Sequence, residues 1–462
     1  MRTRRKSGRR KPKIAATELR TIRHRVAGID VSSQEHWVCG PAREDGQPNV
    51  EVFGATTDEL NRMADWLVAQ GVESVAMEST SVYWIPIFDV LEARGIEAVL
   101  VNARQIHNVP GRKTDYADCQ WIQLLHSCGL LRGSFRPGPA WVRLRTLQRQ
   151  LANLVAERTR FVQWMQKALD QMNVQVHRAV SDLTGVTGMA IVRGIVGGER
   201  DPHRLAAHRD RRCQHTVEEI ARYLTGTWSD EHLFNLASAL RLFDNVEAEM
   251  ASYQNELLKE IAKLYPETRA AKNVPAHPNE AKEKAIRKRG EEGARTALWR
   301  LSGVDLTRID AISSPAGQAV LTEVGTNLAA FPSEHNFVSW LRLSPRTPMS
   351  AGKPLKKRRN GLGANRVAGI LRIAASSLRK SKTALGAYYR RIAARKGADV
   401  ATFALARKLA TLIYRMLRYG EDYVDIGEQA YEAKFLARRV QNLEKSAQSL
   451  GFKLTPIEAP AP

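Results

Sequence analysis

The 462-residue chain holds 71 Lys and Arg against 48 Asp and Glu, a net charge of +23, and its pI lies near 10.1. With 43% hydrophobic and 26% charged residues, it reads as globular and long enough for two or three domains; no apolar run reaches bilayer length, so no membrane role is expected. The four cysteines, Cys39, Cys119, Cys128 and Cys213, form no CxxC pair, which points away from structural zinc or a disulfide framework and towards a reducing cytoplasm.

The basic excess makes a polyanion, most commonly nucleic acid, the first expected partner. Residues 1–25 hold 11 basic side chains and one Glu and read as a disordered basic arm. No apolar segment follows "MRTRRKSGRRKPK", so it is not read as a secretory signal. From Val26 to Leu131 the balance reverses, with 15 acidic against 6 basic residues. The apolar pattern there predicts a strand, a returning strand, a third strand ("NVEVFGAT"), then helix, strand ("SVAMES"), helix, strand ("IEAVLVN") and helix ("TDYADCQWIQLLHS"). Three strands followed by alternating helix and strand indicate a mixed α/β sheet, and the order fits a ribonuclease H-like fold over residues 26–138.

A long helix is predicted from Pro139 to about Val176, a glycine-broken stretch at "GVTGMAIVRGIVGGERDP", and a second long helix from about Asp230 to Leu264. Leu233, Leu236, Leu240, Phe243, Met250, Leu257, Ile261 and Leu264 follow coiled-coil spacing, for use against another helix, a second copy or the helix's own domain. Residues 139–265 thus form a helical region. Residues 266–295 are charged and poor in apolar side chains, a linker or insertion. "ALWRLSGVDLTRIDAISSPAGQAVLTEVGTN" reads as helix, turn, helix, resembling a helix-hairpin-helix element. From Arg342 to Lys396 there are 16 Lys and Arg and no acid, on a loop and a helix written "GANRVAGILRIAASSLRKSKTALGAYYRRIAARK". The second main region spans 296–425, and 426–462 reads as a peripheral tail.

Four acids stand at element edges. Asp30 lies on the first strand, where a carboxylate is out of place unless water or a cation meets it. Glu78 ends the fourth strand. Asp115 and Asp118 open a helix that Thr114 can cap, and their spacing of three sets them on one face. Each has an ordinary alternative: Asp115 favours the helix dipole, and Glu78 is a common strand-end acid. Gathered together, two carboxylates about 4 Å apart would repel by about 4 kcal/mol at an effective dielectric of 20, and a cation removes that cost. All-oxygen ligation selects Mg²⁺ or Mn²⁺ over zinc, the ions suited to in-line phosphoryl transfer.

The stretches "GIDVS", "MESTSVYWIPIFDVLE", "LVNARQIHNVPGRKTDYADCQWIQLLHSCGLLRGSFRP" and "QKALDQMN" resemble the DEDD transposases of the insertion-sequence-one-ten family, most closely its eleven-eleven subgroup. The resemblance runs from Val26 to about Leu264 and from Leu298 to Tyr423. It implies a RuvC-like ribonuclease H domain with Asp30, Glu78, Asp115 and Asp118 as its catalytic, metal-holding acids. It also implies a C-terminal, mainly helical transposase domain with a nucleophilic serine, whose slot in "LRLSPRTPMSAGK" falls on Ser350; Ser339 and Ser344 are its nearest competitors. The family further implies donor and target DNA as substrates, a structured non-coding bridge RNA as guide, a homodimer or homotetramer, and a bacterial, nucleoid-associated cytoplasmic location. This chain departs from the family where Ser81 replaces a common Gly and where Ser33 and Gln34 follow "IDVS" in place of a Lys.

Serine needs activation to act as a nucleophile. Lys353, Lys356, Lys357, Arg358 and Arg359 follow Ser350 closely and could hold a scissile phosphate. Arg112, Lys113 and Arg366 complete the candidate nucleic-acid contacts, and Trp340, Tyr388 and Tyr389 could stack on bases. Two other readings stand beside recombination: a metal-dependent junction-resolving nuclease that uses water, and a binding protein with an inactive ribonuclease H fold.

Overall fold

The computed structural model describes residues 20–79, 81–102, 114–344, 349–350, 353–354 and 365–455, and the chain divides into two units, residues 1–136 and 137–462. Unit 1 follows the expected order. Strands β1 (Val26–Val31), β2 (Glu35–Cys39) and β3 (Val50–Gly54) lead to α1 (Thr57–Ala69), β4 (Ser74–Glu78), α2 (Trp84–Ala93), β5 (Glu97–Val101) and α3 (Asp115–Ser127). The sheet order is β3-β2-β1-β4-β5. β1 pairs antiparallel with β2 and parallel with β4, which pairs parallel with β5.

The period-two pattern of β1 decides which side chain faces where. Ala27, Ile29 and Val31 enter a core with Leu60, Met63 and Leu67 of α1 and Ile87, Phe88 and Leu91 of α2. Each large aliphatic buried there stabilises by about 1.5–3 kcal/mol. The opposite face carries Gly28 and Asp30, with Ala76 of β4 and Val101 of β5 meeting Ile122 of α3. The last residues of the expected arm are engaged rather than loose: the Ile22 and Arg23 amides both donate to the Ser127 carbonyl at 2.9 Å.

Unit 2 is helical. α4 (Pro139–Gln171) leads into α5 (Val176–Ala179), α6 (Val186–Val196), α7 (Pro202–Ala206) and α8 (Val217–Leu224), and the chain returns along α9 (Asp230–Ala262). The long helices are antiparallel. Arg143 at the start of α4 reaches Glu256 and Glu260 near the end of α9, and Arg158 pairs with Glu247. The apolar spacing of α9 is therefore used, at least in part, within the chain. Both helices stop short of their expected ends; Asn173, two residues after α4, takes a left-handed φ of 56°. The glycine-rich stretch expected to break the pattern contains α6. Its Gly188 packs tightly, since a Cβ there would sit 2.4 Å from the Leu183 carbonyl oxygen. A glycine required by close approach was read as a breaker.

The expected linker at 266–295 is also structured. α10 (Glu267–Ala270) and α11 (Glu280–Lys288) fall inside it, and Ile286 is buried. Arg295, on α12 (Glu292–Ser302), is buried in an ion pair with Asp305 at 2.7 Å and donates to the Pro275 carbonyl at 2.8 Å. Buried Ile286 and His277, the Arg295 ion pair and the Lys282 ammonium, which donates to the Ile309 carbonyl at 2.8 Å, anchor a stretch whose composition is otherwise that of a solvated loop. The helix–turn–helix reading holds. Gly303 ends α12 at φ 81°, and Ser313 caps α13 (Ser314–Val324) by accepting from the Ala316 amide.

α14 (Glu334–Trp340), α15 (Arg366–Ser377), α16 (Ala384–Lys396), α17 (Ala398–Tyr419) and α18 (Gly427–Ser449) complete the unit. The basic stretch read as one helix is two. A 3₁₀ turn at Leu378–Lys380 ends α15, and Thr383 caps α16 by accepting from the Gly386 amide at 3.2 Å. Ser and Thr before an apolar run are a start signal that the continuous basic pattern obscured. Among the described residues, no helix is long and apolar enough to cross a membrane.

Candidate active site

α3 lies directly on β1, and Gly28 makes this possible. A Cβ at Gly28 would stand 2.3 Å from the Gln123 amide nitrogen and 2.6 Å from the Cys119 carbonyl oxygen, both backbone atoms of α3. The helix runs antiparallel to the strand. Gln123 Nε2 donates to the Val26 carbonyl at 3.5 Å, and buried His126, one turn on, meets Ser74 Oγ at 2.9 Å, where Ser74 is the β4 partner of Val26. The N-terminal turn of α3 must then overlie the far end of β1, where Asp30 stands.

Thr114 starts that turn as expected, accepting from the Ala117 amide at 3.2 Å. Asp115 and Asp118 fall in the first turn, where the helix dipole favours negative charge. The result is a group of three carboxylates, Asp30, Asp115 and Asp118, whose oxygens come within 4.8 Å of one another. Asp30 and Asp118 are half-buried and Asp115 is exposed. Two unit charges at that separation repel by about 3–4 kcal/mol at an effective dielectric of 20. Three oxygen donors from one strand and one helix turn, open to solvent on one side, suit a hard divalent cation such as Mg²⁺ or Mn²⁺ that keeps some of its water.

Glu78 occupies a neighbouring place but is outside this group. It follows Met77, the partner of Ile29, so it stands beside Asp30 on the adjacent parallel strand, on the face that carries Ala76. Beneath the cluster the Cys119 thiol is buried and pushed up to about 12, first by burial and then by nearby Cys39 and Asp30. It packs as a buried, protonated side chain. Trp37, opposite Asp30 in the β1–β2 ladder, meets exposed Tyr116 edge-on at 6.3 Å. These two aromatics flank the acids and were not singled out from sequence. Gly28 was also missed; a glycine inside a strand pattern was the available signal.

The turn after β1 replaces the missing Lys with a compact arrangement. Ser32 Oγ accepts from the Gln34 and Glu35 amides at 3.3 Å and donates to the Glu35 carbonyl at 2.7 Å. Ser81, the other departure, adopts φ 49°, a left-handed conformation. The glycine common at this position in the family has a backbone reason.

In unit 2, Ser350 and Lys353 are backbone partners in a two-strand ladder formed by β6 (Met349–Ser350) and β7 (Lys353–Pro354). Arg366 is exposed on the first turn of α15, which Asn365 caps. Arg112, Lys113, Lys356, Lys357, Arg358 and Arg359 lie outside the described residues. The aromatic expectation needs correction. Tyr389 is 3% exposed, with its hydroxyl near the Ala398 carbonyl and Thr402. Trp340 packs with Phe331 and Phe337. Buried Tyr389 is not placed to stack on a base, while Trp340 is half-buried. Tyr388 is half-buried beside Arg391.

A five-stranded sheet in this order, with carboxylates collected over its central strand, fits a RuvC-like enzyme domain acting on nucleic acid. Residues 27–174 match the DEDD transposase model of the IS110 family, and residues 304–390 match the model described as transposase of the IS116/IS110/IS902 family, together just over half of the chain. The chain therefore carries both domains of an IS110-family transposase, a class that cuts and rejoins DNA. No curated relative matches it.

Proposed function

We propose that this transposase acts as a site-specific recombinase in the bacterial cytoplasm, with Asp30, Asp115 and Asp118 holding Mg²⁺ or Mn²⁺ and Glu78 as the fourth acid. The observation that carries the reading is the approach of those three carboxylates over β1 within a matched DEDD transposase region. A bound divalent ion would supply positive charge to the reacting phosphate. The acids' own part is to fix that charge at one end of the sheet, from a strand and a helix turn that Gly28 lets pack in direct contact.

Ser350 is the proposed nucleophile, an assignment that rests on its position in the second matched segment. Its hydroxyl oxygen forms a bond to phosphorus, one P–O bond to deoxyribose breaks, and the released sugar hydroxyl takes the proton. Attack by that hydroxyl, or by one from another strand, restores a phosphodiester with no external energy source. Lys353, Lys356, Lys357, Arg358 and Arg359, with Arg112, Lys113 and Arg366, are the proposed phosphate contacts. A bridge RNA as guide, the eleven-eleven subgroup and association with the nucleoid follow from the resemblance and belong to the same proposal.

The test uses the full chain, labelled donor and target DNA, the RNA transcribed from the element's flank, and Mg²⁺ or Mn²⁺. Asp30→Asn should abolish cleavage while DNA binding stays near normal, and Ser350→Ala should remove both recombinant product and a protein–DNA adduct that survives denaturation and is reduced to a peptide by protease. Activity within a few-fold of the parent for Asp30→Asn would remove the metal site. An adduct mapped to Ser344, or cleavage by Ser350→Ala that leaves hydrolysed ends, would replace the serine mechanism.

A further inference from the structure

The last helix presents a packing question separate from the catalytic site. The start of α18 is tied to α16: Arg390 pairs with Glu428, and the Arg391 guanidinium lies 4.9 Å and 3.8 Å from the ring centres of Tyr431 and Phe435. The helix then continues to Ser449, and none of its side chains is buried. A short helix without tertiary support is marginal in water. Yet the end of α18 is specified in the sequence. Gly451 adopts φ 80°, the Phe452 amide donates to the Ala447 carbonyl at 2.9 Å, and the Gly451 amide donates to the Gln448 carbonyl at 3.1 Å, closing the helix in a Schellman motif.

Leu436, Val440, Leu443, Ala447 and Leu450 recur in steps of four and three along one face. The four large side chains are 61%, 45%, 50% and 72% exposed respectively. Such a stripe is a coiled-coil seam, with Ala433, Val440 and Ala447 at one core position and Leu436, Leu443 and Leu450 at the other. We propose that a second copy of this chain covers the seam, as a parallel, two-stranded coiled coil.

Both the partner and its direction follow from the flanking residues. A β-branched residue at the first core position with leucine at the second favours two strands. Arg439 and Glu444 flank the seam five residues apart, the spacing at which these edge positions meet between parallel, in-register helices. Arg439 of each copy then faces Glu444 of the other, twice by symmetry. In an antiparallel pair over the same seam Arg439 would face Ser446 and Glu444 would face Ala437, so neither charge would find a partner and the parallel arrangement is favoured. A self-complementary patch is what a two-fold homodimer requires. Arg438 and Lys445 fall on the outer face, in water.

The test uses single cysteines in the full-length chain with the native cysteines blocked or replaced. Leu436→Cys and Leu450→Cys lie about 21 Å apart along one helix. Only parallel, in-register pairing lets each cross-link to its own counterpart. Under mild oxidation both should give a species of twice the mass on non-reducing gels, while Gln441→Cys, on the outer face, should not. Arg439→Glu should lower the cross-linking rate of Leu436→Cys several-fold, and adding Glu444→Arg should restore it. Circular dichroism confirms that each variant remains folded. Cross-linking of neither position, or of Gln441→Cys equally, overturns the proposal. So does Leu443→Lys leaving both cross-links unchanged. Loss of nucleic-acid retention in Leu443→Lys without any cross-link would instead assign the face to nucleic acid. None of these outcomes depends on the carboxylate site, so the functional reading stands or falls separately.

Discussion

Ser81 concentrates a backbone constraint in one residue. Its left-handed φ of 49° costs a non-glycine residue about 1–2 kcal/mol, and glycine returns part of that gain through its freer unfolded chain. Ser81→Gly should therefore stabilise the protein by about 0.5–1 kcal/mol, read as a higher denaturation midpoint at constant slope. Two histidines set a pH dependence at the same scale. Burial lowers the pKa of both His36 and His126, so the folded protein keeps them neutral where the unfolded chain takes up protons. Their contribution is intact above pH 6.5 and declines as the pH falls below it towards the folded values. Melting temperature should drop between pH 7.5 and 5.5, and the double variant His36→Gln, His126→Gln should flatten that part of the profile. An unchanged slope would mean that other groups control acid stability.

At the scale of elements, the contact between α3 and β1 governs the site. Gly28→Ala forces a methyl against two backbone atoms that have no side-chain freedom to yield. Overpacking of this kind costs about 1–3 kcal/mol, and it acts by lifting the helix turn that carries Asp115 and Asp118. The variant should remain folded with a lowered melting temperature and lose Mn²⁺ binding by titration calorimetry. Binding at parental affinity would show that the acids tolerate separation of helix and strand. The sequence reading located every strand and helix of this sheet, because strand alternation and a helix cap are local signals, and of the four acids it singled out the structure groups Asp30, Asp115 and Asp118, with Glu78 outside. It could not find Gly28's role, because close approach depends on a helix some ninety residues away. Gly188 was misread for the same reason, and the α15–α16 junction was lost because basic residues continue on both sides of it. Tyr389 looked available beside its basic neighbours, but only the packing of α16 against α17 decides its burial.

Across the molecule, the acidic stretch from Val26 to Leu131 contrasts with one of 16 basic and no acidic residues between Arg342 and Lys396. If that stretch neutralises about six phosphates, the logarithm of DNA affinity should fall against the logarithm of salt with a slope near −5. Filter binding from 50 to 300 mM KCl would measure it, and a slope shallower than about −2 would place the binding surface elsewhere.

The antiparallel helices α4 and α9 are each 33 residues long, which makes them rods of about 50 Å. Near one end, Arg149 grips Glu323 and Gln318 bridges Gln148 and Gln254, fastening the rods to α13. At the other end they carry the apolar cluster of α5 to α8. The hairpin is therefore a ruler: sixteen residues of α4, from Arg149 to the first buried residue of the head, Met165, set an offset of about 24 Å from α13, equal to about seven base pairs of duplex at 3.4 Å each. Its graduation is the heptad. Removing seven residues from both helices in step would shorten the span by about 10 Å, or three base pairs, while returning each remaining side chain to nearly its former face. The length of two helices, more than the chemistry of either, would then set how far the head stands from α13.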